Sequence, residues 1–179
     1  MTQVGNVYAQ GLYSLAKEES VEKSILDNMV VLENAFVQEP DFLRLLSSPN
    51  LPKEERCEII DKSFREKVHP YLLNFLKILT EKGYIRFYFD CVQAYKDQYN
   101  IDHGILPVKA ISAVALTDSQ VEKLIMKLQS ITGKQIELVN KIDPDCLGGI
   151  RLDYDGKRID GTVRNRLDEI HQLLKNTVL

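Results

Sequence analysis

The sequence predicts an α+β protein, an N-terminal bundle of about six α-helices followed by a small C-terminal α+β domain. Three observations carry this prediction. Up to Gly104 the apolar residues recur with the helical period and never with the strand period. Beyond it, alternation with period two appears in three places, separated by one strongly capped helical pattern. The stretch Ile142 to Asp160, IDPDCLGGIRLDYDGKRID, then reads as turn, strand, tight turn and return strand ahead of a last helix. The expected domains are therefore residues 1–104 and 105–179.

Each element follows from its residues. Val4, Val7, Tyr8, Gly11, Leu12 and Leu15 recur at helical spacing, with Ala9, Tyr13 and Ala16 as a second stripe, so the first helix is apolar on more than one side. Val21, Ile25, Met29, Leu32 and Phe36 predict a second helix that ends at Glu39-Pro40. Phe42, Leu43, Leu45 and Leu46 form a short third, closed by Ser48-Pro49. Pro52 suits the first position of a fourth, where a missing N–H costs nothing, and Glu54 and Glu55 favour the positive end of the helix dipole. Cys57, Ile60 and Phe64 lie on its inner face. Leu72, Phe75, Leu76 and Leu79 make one stripe of a fifth helix, Tyr71 and Ile78 another, with Gly83 as its stop. The sixth carries Tyr84, Tyr88, Cys91, Val92, Tyr95 and Tyr99 along one side and ends at Asp102-His103-Gly104.

In the second domain Leu106, Val108, Ala110 and Ser112 alternate as a strand, and Pro107 favours an edge position for it. Thr117 and Gln120 form a capping box that opens a helix bearing Val121, Leu124, Ile125, Leu128 and Ile131, with Gly133 as its end. Ile136, Leu138, Asn140 and Ile142 alternate through the next strand. Asp143-Pro144 starts a turn, since proline pushes the residue before it out of the helical region. Ile150, Leu152 and Tyr154 then alternate with Arg151, Asp153 and Asp155; Asp155-Gly156 supplies the positive φ values of a hairpin, and Lys157 to Ile159 return. Asp160 or Thr162 caps a last helix bearing Val163, Leu167, Ile170 and Leu174.

Composition bounds the function. The chain has 179 residues, 44% of them hydrophobic, enough to bury a core, and a net charge of −3, which gives no electrostatic case for nucleic acid as a partner. Split at Gly104, the charges are 12 Lys+Arg against 16 Asp+Glu before it and 11 against 10 after it, so the two parts differ. Cys57, Cys91 and Cys146 are odd in number and far apart, which indicates neither a disulfide framework nor a zinc site. The N-terminus MTQVGNVYAQGLYSLA has neither a basic, apolar signal segment nor an Arg-rich bias, and no run of about 18 apolar residues occurs. Membrane association is expected through a partner only.

No catalytic, cofactor or metal site is expected. His69, His103 and His171 fall in different elements, outside any catalytic string. There is no H-E-x-x-H, G-x-S-x-G or G-x-x-x-x-G-K-[ST] pattern. Aligning Gly156 with the sixth position of a calcium loop places Arg151 and Thr162 at its first and twelfth, where both fail as ligands. Gly148-Gly149 precedes a strand rather than a helix, so close backbone packing or a bulge is expected there instead of a phosphate cradle. What remains is surplus apolar surface on the first and fifth helices. It suits a groove for an amphipathic helix of another protein, and equally two central helices of a bundle.

The string DPDCLGGIRLDYDGKRIDGTVRNRLDEI resembles the C-terminal signature of the delta subunit of F-type ATP synthases, the bacterial counterpart of the mitochondrial OSCP. That signature comprises Asp-Pro, an apolar pair, Gly-Gly, an alternating strand, a further Gly, and Asp-x-Ser or Thr before a final helix. Asp143, Pro144, Gly148, Gly149, Gly156 and Asp160 supply it here, with Cys146 at a position commonly aliphatic and Thr162 where Ser is commoner. Tyr8-Ala9-x-x-Leu12 is similar to the family's opening helix, Phe42-Leu43 with Pro49 to its third element, and Leu72 to Leu76 with Leu79 and Gly83 to its fifth, where Tyr84 rather than Arg follows the glycine.

The resemblance implies a non-catalytic stator subunit. Its N-terminal domain would bind the N-terminal helix of an alpha subunit of the catalytic head through the first and fifth helices, at Tyr8, Gly11, Leu12, Leu76, Ile78 and Leu79. Its C-terminal domain would engage the C-terminus of the peripheral-stalk b subunit within Leu147 to Leu174. It would lie at the cytoplasmic face of a bacterial membrane, with no cofactor. The alternatives are a helical adaptor unrelated to the synthase, and a small enzyme using Asp143, Asp145 or His171.

Overall fold

A computed structural model describes residues 2–169. The chain divides into two compact units, one ending at Tyr99 and the other beginning at Asn100, a division inside the sixth helix and ahead of Gly104. Ile170, His171 and Leu174 lie outside the described residues.

The first unit contains α1 (Gln3–Glu18), α2 (Glu22–Gln38), α3 (Pro40–Ser47), α4 (Lys53–Phe64), α5 (Pro70–Glu81) and α6 (Tyr88–Asp102). Prolines punctuate it as steric rules require. Pro40 opens α3, and Pro70 opens α5 behind a His69 cap whose ring nitrogen accepts the Tyr71 N–H. Pro52 stands one place earlier than expected, as the cap of α4 and not its first residue. Tyr84 likewise precedes its helix. The left-handed Gly83 (φ 74°) ends α5, and a short 3-10 turn at Ile85–Phe87 intervenes before α6.

The core of this unit joins Leu12 and Tyr13 of α1, Ile25, Met29 and Phe36 of α2, and Leu72, Leu76 and Leu79 of α5 to Tyr88 and Tyr95 of α6. The tyrosine stripe of α6 is buried because its polar ends are satisfied. Tyr88 donates its hydroxyl to the Met29 carbonyl and Tyr95 to that of Glu22, each at 3.0 Å. Burial pushes the Tyr88 hydroxyl well above its ordinary pKa, so it stays a donor. Buried Arg56 donates to the Leu46 carbonyl at 3.0 Å and so serves the C-terminal end of α3.

The second unit contains β1 (Ile105–Ser112), α7 (Asp118–Thr132), β2 (Gln135–Ile142), β3 (Ile150–Tyr154), β4 (Lys157–Asp160) and a helix α8 described over 163–169. The sheet order is β2-β1-β3-β4. Strand β1 runs parallel to β2, the pair joined by the α7 crossover, and antiparallel to β3. It is therefore a central strand and not the edge its proline suggested. Pro107 is tolerated because pairing with β3 covers only Lys109 to Ser112, leaving the strand a neighbour on one side at the proline. Leu124, Ile125 and Leu128 of α7 pack over Leu106, Val108, Ala110, Ile136 and Leu152 of the sheet. Ile131, expected on that face, is exposed instead.

The turns after β2 follow from local chemistry. Asp143 accepts the Asp145 N–H with its carboxylate, and a 3-10 turn spans Pro144–Cys146. Gly149 has φ 75°, and a side chain there would run into the Gly161 carbonyl and sit 3.0 Å from Thr162 Cα. The double glycine thus permits close backbone packing. Asp155 (φ 47°) and Gly156 (φ 68°) close the hairpin. Asp160 and Thr162 share the capping: the Asp160 carboxylate accepts the Thr162 N–H and O–H, while the Thr162 hydroxyl accepts the Asn165 N–H.

Candidate functional site, a groove on the helical unit

Helices α1 and α5 leave a groove between them of about 370 Å³. Its α1 side is Tyr8, Gly11, Leu12 and Leu15, with Val7 beside them; its α5 side is Tyr71, Asn74, Phe75 and Ile78. Both sets have the spacing i, i+3, i+4, i+7, the four corners of a hole into which a side chain of a facing helix fits. Leu12 and Phe75 are buried and form the floor. The Tyr8 ring is held edge-on against Tyr84, with centroids 5.8 Å apart. Val7 and Ile78 stand at the rim, 63% and 45% exposed. Among the described residues no charged side chain lines the groove, so what it offers is apolar contact and shape.

Of the residues expected here, the structure brings together Tyr8, Gly11, Leu12 and Ile78. Leu76 and Leu79 are not among them. They are 1% and 0% exposed and belong to the core, because on a helix the 72/76/79 stripe points into the bundle when the 71/74/78 stripe points out. Val7, Leu15, Tyr71, Asn74 and Phe75 line the groove without having been expected there. For Tyr71 the signal was the second stripe on α5, shared with Ile78 and set beside the more continuous leucine stripe; for Val7 and Leu15 it was the first stripe of α1.

Other concavities have a different character. Phe36, Phe42, Leu45 and Phe64 line one together with Glu39, Asp41 and Lys67. In the second unit Asp143, Asp145 and Asp160 share a small depression with Arg151 and Arg164. There Asp145 approaches Arg164 at 3.7 Å, and the bonds from Thr162 hold the Asp160 carboxyl below its ordinary range. No group of three or more potential metal ligands occurs among the described residues. Burial pushes the Cys91 thiol up to about 12, which leaves it unreactive.

The family model of the ATP synthase delta (OSCP) subunit matches residues 4–174. The chain belongs to that family. The ATP synthase subunit delta of Alkaliphilus oremlandii is 31% identical over 176 residues, 98% of each chain. The sodium-ion-specific delta subunit of Ilyobacter tartaricus is 32% identical over 168 residues, 94% of this chain and 96% of that one. A chain of the Toxoplasma gondii mitochondrial ATP synthase hexamer superposes with a TM-score of 0.76 over 97% of this chain at 18% identity, which shows the shared fold. Membership over nearly the whole chain removes the alternative of an adaptor unrelated to the synthase.

Proposed function

We propose that this protein is the stator joint of a proton-translocating F-type ATP synthase, linking the peripheral stalk to the catalytic head. The groove between α1 and α5 receives the N-terminal amphipathic helix of an alpha subunit, and the second unit engages the C-terminal end of the b subunit. The observation that carries this reading is the uncharged groove with exposed apolar rims in a member of the delta (OSCP) family. Rotation of the central stalk drives synthesis only if the head is kept from turning with it. A joint under torque needs buried apolar contacts, since exposed ion pairs contribute little individually. Among the described residues no helix is long and apolar enough to cross a membrane. Attachment at the cytoplasmic face of a bacterial membrane is assigned to the b subunit. On the second unit, exposed Leu147, Ile159, Val163 and Leu167 are apolar residues suited to that contact.

Calorimetric titration with a peptide covering the N-terminal helix of an alpha subunit from the same organism tests the groove. One-to-one binding with a negative heat-capacity change is expected. Ile78→Asp, at the exposed rim, removes binding and leaves the fold intact; Leu76→Asp would unfold the bundle and test nothing about docking. Normal binding by a folded Ile78→Asp protein overturns the assignment.

A further inference from the structure

The four-cornered hole on α1 is incomplete at one corner. Tyr8, Leu12 and Leu15 carry side chains into the groove, while the fourth corner, Gly11, carries none, and a Cβ built there meets nothing within 4 Å. Glycine is not required for the backbone at this position: Gly11 sits inside a regular helix and is absent from the positive-φ glycines. In a helix interior it is a poorer residue than alanine, because it loses more backbone freedom on folding. The corresponding hole on α5, Tyr71, Asn74, Phe75 and Ile78, has side chains at all four corners.

We propose that Gly11 is a specificity-determining residue: its missing side chain makes a socket that seats one large apolar side chain of the docked helix, a leucine, isoleucine, methionine or phenylalanine. This rests on the docking reading above and goes beyond it. It assigns the two holes unequal roles, with the α1 hole selecting a bulky knob and the α5 hole, whose Asn74 corner is exposed and polar, accommodating the neighbouring turn. The register of the docked helix follows, since only one of its seam positions can fill the socket.

The test titrates the full chain and its Gly11→Ala and Gly11→Leu variants with the alpha-subunit N-terminal peptide, and with a series of that peptide in which each apolar seam residue becomes alanine. Gly11→Leu is expected to weaken binding about tenfold or more through overpacking, with Gly11→Ala between it and the unaltered chain. Both variants should melt no lower than the unaltered protein, since alanine and leucine are better helix formers than glycine and nothing crowds the position. A single peptide position should account for the coupling: its alanine variant binds the unaltered chain poorly but loses little on Gly11→Leu. Equal peptide binding by Gly11→Leu and the unaltered chain overturns the socket and leaves docking standing, as does the absence of any coupled seam position. Failure of the unaltered chain to bind the peptide overturns the docking reading, and the socket with it.

Discussion

Tyr88 shows how much a single side chain contributes here. Its ring fills the core between α2 and α6 against Phe36, and its buried hydroxyl is satisfied by donating to the Met29 carbonyl in the middle of α2. Tyr88→Phe keeps the ring and removes the donor, so it should cost about 1 kcal/mol, read as a lower urea midpoint at unchanged slope. An unchanged midpoint would mean that the bond adds nothing net to the buried ring. Gly149 is the opposite case, a residue defined by what it lacks. Gly149→Ala combines a left-handed backbone with a collision against Gly161, and should destabilise the second unit by about 1–3 kcal/mol. At this scale the sequence was legible wherever a residue type is forced by its backbone, as at Gly83, Gly133 and Gly156. It was silent at Leu147, which takes φ 61° without being a glycine, because neighbours and not residue type impose that turn.

Among the elements, α5 teaches the most. Its helical nature and both apolar stripes were readable from spacing, yet spacing does not say which stripe meets the bundle. Leu76 and Leu79 went inward because α5 is covered on that side by the rest of the core, and the choice between core and groove depends on packing across distant parts of the chain. The same limit explains Pro107, where the proline rule identified an unpaired side correctly but could not show that the strand gains a second neighbour from Lys109 onward. Helix α1 is fastened to α6 by a contact that no local pattern reveals. The Thr2 hydroxyl and N–H donate to Asp90 at 2.7 and 3.1 Å, and a Cβ on Gly5 would meet the Asp90 side chain at 2.7 Å.

The Thr2 hydroxyl, with its N–H, holds the Asp90 carboxyl below its ordinary pKa of 3.8. The folded protein thus binds this proton less readily than the unfolded chain. The stabilisation is present above the ordinary carboxylate range and lost as pH falls below it. Thr2→Val should therefore lower the urea midpoint at pH 7, with the gap from the unaltered protein narrowing at about pH 3. A gap that stays constant with pH would show that the clasp acts through the α1 cap alone.

At the scale of the whole molecule, the proposed division of labour rests on the surfaces. The helical unit buries the leucines of α5 and exposes an uncharged groove, while the second unit is built on a mixed sheet covered by α7 and held by the glycine-rich turns after β2. No group of three or more potential metal ligands occurs among the described residues, and each unit offers apolar surface suited to a partner. A rim substitution in the groove, Ile78→Asp, should leave binding of the b subunit unchanged, and Leu167→Asp on α8 should leave binding of the alpha-subunit peptide unchanged. Loss of both interactions from either change would contradict the assignment of separate roles.

Whether one chain bridges head and stalk is read by sedimentation. A catalytic head stripped of its delta subunit, the soluble C-terminal portion of the b subunit, and this protein are mixed and spun. A single species containing all three is expected, which falls apart into head and stalk when the protein is omitted or carries Ile78→Asp. Head and b portion sedimenting separately in the presence of the unaltered protein, or competing for it, would show that it does not bridge them.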